Sequence, residues 1–76
     1  MEFTIVGIER KVGEYQGRTY DNTILHCTYA KDAMDEGVAV SSVKVKTERI
    51  DESLQVGDIV TFYYDQYGNV LQVNIK

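Results

Sequence analysis

The sequence predicts an all-β domain, on three observations. Val, Ile and Thr supply 22 of the 76 residues and Tyr and Phe eight more, whereas Ala and Leu, the usual bulk of helices, supply three each. Proline is absent, so no candidate strand lacks a backbone donor. Apolar residues alternate with polar ones in five short runs, separated by glycines and charged clusters.

The first run, Glu2 to Val12, places Phe3 and Ile5 on one face and Val6 and Ile8 on the other, with the parity switching around Gly7. A glycine at such a switch predicts a bulge or sharp coil that lets one strand serve two sheets. Gly13 to Gly17 reads as the tip of a hairpin. Arg18 to Ala30 is the second strand, with Leu25, Cys27 and Tyr29 on one side and Tyr20, Ile24 and His26 on the other. Lys31 to Gly37 is a polar, acidic loop. In the third strand, Val38 to Thr47, Val38 and Val40 give way to Val43 and Val45 across Ser41 and Ser42, which predicts a second bulge and turns Lys44 and Lys46 outward together. Glu48 to Gly57 is a connection in which Ile50, Leu54 and Val56 tuck in as a plug or a single helical turn. Asp58 to Asp65 and Val70 to Ile75 form a closing hairpin around Gln66, Tyr67, Gly68 and Asn69. Five strands, two of them long and coiled, with a connection before the fourth, predict an OB-type Greek-key barrel. A five-stranded barrel of the Src-homology type is the structural alternative.

Length and charge narrow the function. A chain of this size buries roughly 60% of the surface its unfolded form exposes, so one domain over residues 1–76 is expected, with no deep active-site cleft and no enzymatic activity. No apolar stretch approaches the roughly 20 residues a membrane-spanning helix needs, and Met1 leads straight into Glu2 and Phe3, which predicts a cytoplasmic protein. One cysteine and one histidine predict neither an internal disulfide nor a structural zinc site, and no cofactor is expected. Neighbours in a strand point to opposite faces, so His26 and Cys27 do not form a nucleophilic dyad; Cys27 is expected in the core. Asp32, Asp35 and Glu36 lack the alternating carboxylates of a calcium loop.

A net charge of −4 argues at first against nucleic acid. The acidity is local, however: Lys31 to Gly37 carries −2 and Glu48 to Asp58 carries −3, leaving +1 elsewhere. Arg10, Lys11 and Arg18 flank the first hairpin, and Lys44 and Lys46 lie on the outer face of the third strand. In an OB barrel that hairpin stands beside the face of strands two and three, where oligonucleotides bind, so these five cations are expected to converge. Tyr15, Tyr20 and Tyr67 fall at hairpin tips or outward positions, and His26 shares the face of Tyr20. Cations for the backbone and aromatic faces for the bases are the two requirements of single-strand binding. Composition alone favours the plainer explanation, tyrosines in half-buried strands and lysines that are merely solvated.

The order of residues adds to this. Gln16, Gly17, Arg18, Thr19 and Tyr20, followed by Leu25 and Cys27, resemble the Gln, Gly, basic, any, Tyr signature at the first hairpin of the single-stranded DNA-binding proteins of filamentous phages. Gln66, Tyr67 and Gly68 resemble the Gln, aromatic, Gly tip near the end of those proteins. The resemblance implies an OB barrel that forms a homodimer and coats single-stranded DNA without sequence preference during phage or mobile-element replication. By position, Arg18 would meet phosphate, Tyr20 would lie at the DNA face, and Tyr67 would stack on a base or meet the next dimer. Arg10 or Lys11, and Lys44 or Lys46, would match further basic positions. The chain departs from the family in carrying Gln72 and Asn74 where its last strand has arginines. A stacking surface tolerates either sugar, so RNA stays open as a ligand beside single-stranded DNA. A different class of reading makes the chain a protein-interaction barrel whose acidic loops, Asp32 to Glu36 and Glu48 to Glu52, face a basic partner.

Overall fold

The computed structural model describes residues 1–31 and 35–76. Strands β1 (Phe3–Tyr15), β2 (Arg18–Tyr29), β3 (Ala39–Lys46), β4 (Ile59–Tyr64) and β5 (Val70–Ile75) form one antiparallel sheet in the order β3-β2-β1-β4-β5. A 3₁₀ turn, Thr47–Arg49, follows β3. All five expected strands are present.

β1 and β2 run on to Tyr15 and Arg18, and the turn between them is only Gln16 and Gly17, both at positive φ (51° and 76°). That pair of angles is what a tight type I′ hairpin demands, and glycine supplies the second at no steric cost. β3 ends opposite Asn22, so Val12–Tyr15 and Arg18–Asp21 continue for about 13 Å as a two-stranded ribbon. This ribbon contributes to the long axis of a body measuring 46 × 24 × 23 Å.

The core lies on the inner face. Ile5, Leu25, Cys27, Val45, Val60, Phe62, Val70 and Val73 meet there, with Leu54 as a plug from the β3–β4 connection. Ile50 packs against this cluster, but Val56 stands out in solvent, so the connection supplies one buried residue and one packed beside it rather than three. The Phe3 ring tilts against Tyr29 and Phe62 with centroids 5.3 and 5.0 Å apart, the tilted geometry aromatic quadrupoles favour.

Two expectations about register need correction. The β1 bulge is real and lies between Ile5 and Gly7, but the extra residue is Val6, and Ile8 returns to the side of Ile5, opposite Leu25. β3 carries no bulge: its pairing with β2 is continuous from Ala39 to Lys46. Val40 therefore points outward and is exposed, while Ser41 turns inward opposite Cys27, whose thiol reaches the Ser41 carbonyl at 3.5 Å. An apolar residue spent on the outer face produces the same parity shift as a bulge.

The sheet is also open where a closed barrel was expected. β3 and β5 are its two edges and share no ladder. The chain leaves β3 at Lys46 directly into the 3₁₀ turn, and from that turn the Arg49 guanidinium approaches the Val70 carbonyl at the start of β5, at 3.5 Å. A side chain stands where a backbone ladder would close the ring. Among the described residues no helix is long and apolar enough to cross a membrane.

Candidate nucleic-acid interface

The β1–β2–β3 register sorts the charged residues by face. Cross-strand partners share a face, so the outer surface carries Glu9, Lys11, Gly13 and Tyr15 from β1, Arg18, Tyr20, Asn22, Ile24 and His26 from β2, and Ser42, Lys44 and Lys46 from β3. Lys11, Asn22 and Lys46 form one row straight across the three strands. Gly13 and Tyr20 form the next row outward, and Tyr15 and Arg18 the last before the turn. Four of the expected cations, Lys11, Arg18, Lys44 and Lys46, thus lie on one surface with Tyr15, Tyr20 and His26. Glu9 is the carboxylate of these rows, and it faces the Lys11 ammonium at 3.9 Å and His26 Nε2 at 3.1 Å; Asp21 and Glu48 border the surface where they line a notch with Tyr20, Asn22 and Lys46.

Tyr20 is held by what lies opposite it. A Cβ placed on Gly13 would sit 2.4 Å from the Tyr20 hydroxyl oxygen, so the tyrosine ring crosses the ribbon over the glycine. The absence of a side chain at Gly13 leaves the room that the ring occupies, while Tyr20 remains nearly half exposed. Tyr15 is exposed at the ribbon end, and Tyr67 is the most exposed tyrosine, at the β4–β5 tip. That tip is built by Asp65: its Oδ1 accepts the backbone N–H of Tyr67 at 2.8 Å and of Asn69 at 3.0 Å, and these bonds hold the carboxyl below its ordinary range.

His26 ties the three strands together. Its Nδ1 lies 2.8 Å from Ser42 Oγ on β3 and its Nε2 3.1 Å from Glu9 on β1, while the ring packs over Gly7. Serine, histidine and carboxylate here span an open sheet surface, and both ring nitrogens are engaged, so the trio fixes the relative position of the strands. Cys27, one residue on, is buried in the core, and burial raises its thiol pKa.

Arg10 does not join the cations. It faces inward in the row of Thr23 and forms a two-pronged ion pair with Asp21, with Nε donating to Oδ1 at 3.0 Å and Nη2 to Oδ2. Asp21 also accepts the Thr47 hydroxyl at 2.7 Å, and Thr47 lies 2.9 Å from Thr23. The knot joins β1 and β2 to the turn after β3. The Arg10 hydrogen bond, helped by Thr47, brings the Asp21 carboxyl down to about 2 from an ordinary 3.8. A depressed folded value means that its stabilisation is complete above the unfolded value and is lost as pH falls through about 2. The urea midpoint is therefore expected to fall further from about pH 5 to about pH 2 in the native protein than in Asp21→Asn; equal falls would show that the pair contributes nothing.

The inner side of the ribbon has the opposite character. Ile8, Arg10, Asp21, Ile50, Glu48, Asp51, Glu52 and Leu54 line a concave surface below it. Several acids there and nearby are already employed: Asp51 accepts the Ser53 N–H at 2.8 Å and Asp58 accepts that of Gln55 at 2.8 Å. The other acidic segment of the interaction reading, Asp32 to Glu36, lies partly outside the described residues. No group of acids, His and Cys among the described residues is arranged to hold a metal ion.

Asn22, Gly13 and Arg49 were not legible as site residues. Asn22 and Gly13 acquire meaning only through register, and Arg49 sits in a stretch whose summed charge is negative. Compared with known protein families, curated proteins and solved structures, the chain shows no match to any of them.

Proposed function

We propose that the chain binds single-stranded nucleic acid, DNA in the first instance, on the outer surface of β1–β2–β3, without sequence preference and without catalysing a reaction. The observation that carries this reading is the sorting of charge by face: Lys11, Arg18, Lys44 and Lys46 share a surface with Tyr15 and Tyr20, and Glu9 is drawn toward His26 and Lys11. Cations neutralise phosphates and tyrosine faces receive unstacked bases. His26 serves by setting the strands that carry them, and Arg10 by anchoring the ribbon. Tyr67, on a separate hairpin, extends the surface.

The finer architecture belongs to the same proposal. The strand order β3-β2-β1-β4-β5 supports an OB-type arrangement opened between β3 and β5, and the likeness to the single-stranded DNA-binding proteins of filamentous phages adds a homodimer acting in the cytoplasm during phage or mobile-element replication. The open edges of β3 and β5, with exposed Val40 and Leu71, are consistent with self-association.

A titration with oligo(dT) and with duplex DNA at several salt concentrations tests the reading. Each phosphate neutralised on a single strand contributes a slope of about 0.7 in log K against log salt, so four engaged cations predict a slope near −3, roughly. Duplex DNA is expected to bind more weakly. No oligo(dT) binding at low salt, or binding indifferent to salt, would refute the proposal.

A second reading rests on the inner side, where exposed Ile8 lines a concavity with Glu48, Asp51 and Glu52. That combination suits a basic, amphipathic segment of a protein partner. The two surfaces are on opposite sides of the ribbon.

A further inference from the structure

We infer that the cleft between β3 and the β4–β5 hairpin is a phosphate site and that Arg49 is its anchor, an inference that rests on the single-strand reading for the source of the phosphate. Lys44, Lys46 and Arg49 line this cleft of about 290 Å³ together with the side chains of Asn22 and Asn69. Three cations and two amides therefore surround one small volume. None of the three cations has a carboxylate within 4.0 Å among the described residues.

Asp65 is the carboxylate that lines the cleft, and its chemistry is already committed. Its Oδ1 receives the N–H groups of Tyr67 and Asn69, which form the hairpin turn. It shapes the wall of the cleft and lies beyond 4.0 Å of the Arg49 nitrogens, so the two charges attract each other without forming a contact ion pair. One Nη of Arg49 approaches the Val70 carbonyl at 3.5 Å, which orients the guanidinium and leaves the rest of the fork to be satisfied. A half-buried guanidinium with free donors beside two ammonium groups has the charge and the planar fork that match a phosphate.

Position links the cleft to the surface described above. Asn22 and Lys46 line it and also line the notch beside Tyr20, so the two depressions share a wall; Asp21 and Glu48 stand on the far side of that notch. A strand lying over Tyr20 and Lys46 reaches Arg49 next and then the hairpin that bears Tyr67. Arg49 thereby joins the outer surface of β1–β2–β3 to the Tyr67 tip, which are otherwise separate.

Two measurements separate the sources of phosphate. In the first, oligo(dT) affinity is followed against salt for the native protein, Arg49→Ala and Arg49→Lys. Arg49→Ala is expected to lose several-fold in affinity and about 0.7 of the log–log slope, whereas Arg49→Lys keeps the slope. Urea midpoints of the proteins guard against lost folding, and Arg49→Gln, which removes the charge and keeps a polar side chain, carries the test if the alanine variant is unstable, with the same loss of slope expected. In the second, inorganic pyrophosphate is titrated while the Arg49 Nε–H resonance is observed; a saturable shift that is lost in the Lys44→Ala, Lys46→Ala double variant is expected. Unchanged affinity and slope in a folded Arg49→Ala would overturn the anchor while leaving the outer-surface reading intact. A native protein that ignores oligo(dT) but shows the pyrophosphate shift would overturn that reading and assign the cleft to free phosphates. No saturable shift, or equal shifts at every cation, would overturn the site.

Discussion

Tyr20→Ala is expected to weaken oligo(dT) binding by about 1–3 kcal/mol, a factor of roughly 5 to 150, while the salt slope stays as it is in the native protein. The reason is a division of labour. Slope counts phosphates neutralised by Lys11, Arg18, Lys44 and Lys46, whereas the Tyr20 ring, lying across Gly13 in the next row, offers a face on which a base can stack. Tyr20→Phe keeps the ring and should keep most of the affinity. Gly13→Val provides an independent route to the same end, because its Cβ would occupy the space of the Tyr20 hydroxyl and displace the ring without removing it. Fluorescence anisotropy on the four proteins decides the point. If Tyr20→Ala binds as tightly as the native protein, or lowers the slope instead, Tyr20 has no stacking role.

Leu25→Ala is expected to have the largest effect on folding, a loss of about 2–5 kcal/mol. Leu25 is 0% exposed at the centre of the inner face, opposite Ile8 and Val43. Domains of this length are typically stable by about 4–11 kcal/mol, so a single truncation removes a large share of the total. Val40→Ala is the informative contrast. Val40 is 73% exposed on the outer face of β3, and its truncation should change stability by no more than about 0.5 kcal/mol. Urea unfolding followed by circular dichroism measures both. A Val40→Ala loss comparable with that of Leu25→Ala would mean that β3 pairs with β2 one residue out of register, which would also turn Lys44 and Lys46 away from Tyr20.

The particular residues show how far the sequence carries. β2 was legible in full, because Leu25, Cys27 and Tyr29 against Tyr20, Ile24 and His26 is a period-two pattern that only one register satisfies. β3 misled in one respect. Val38 and Val40 are exposed, so hydrophobicity alone could not distinguish a bulge from an apolar residue on the solvent side. Sheet closure was not legible either, since it depends on whether two edges far apart in the chain meet, and here Arg49 stands between them.

Of the expected site, seven residues, Lys11, Tyr15, Arg18, Tyr20, His26, Lys44 and Lys46, lie on one surface; alternation within strands groups those of β2 and pairs Lys44 with Lys46, whereas the β1 bulge decides the facing of Lys11 and Tyr15. Arg10 was misplaced for a physical reason: the Val6 bulge reverses the facing of every later residue of β1, sending Arg10 inward to Asp21 and Lys11 outward. Sequence could not choose between those two adjacent cations, and the bulge does. Tyr67 sits apart on the second hairpin, and its connection to the rest runs through Arg49, which a tally of segment charge conceals.

The central claim is that single strands lie on the outer surface of β1–β2–β3. The most direct test is amide NMR of the labelled protein titrated with oligo(dT) at low salt. The account predicts saturable shifts at Lys11, Tyr15, Arg18, Tyr20, Asn22, Lys44 and Lys46, with Ile8, Ile50 and Asp51 on the inner side unmoved. Shifts centred on that inner side, or none at all, would contradict it.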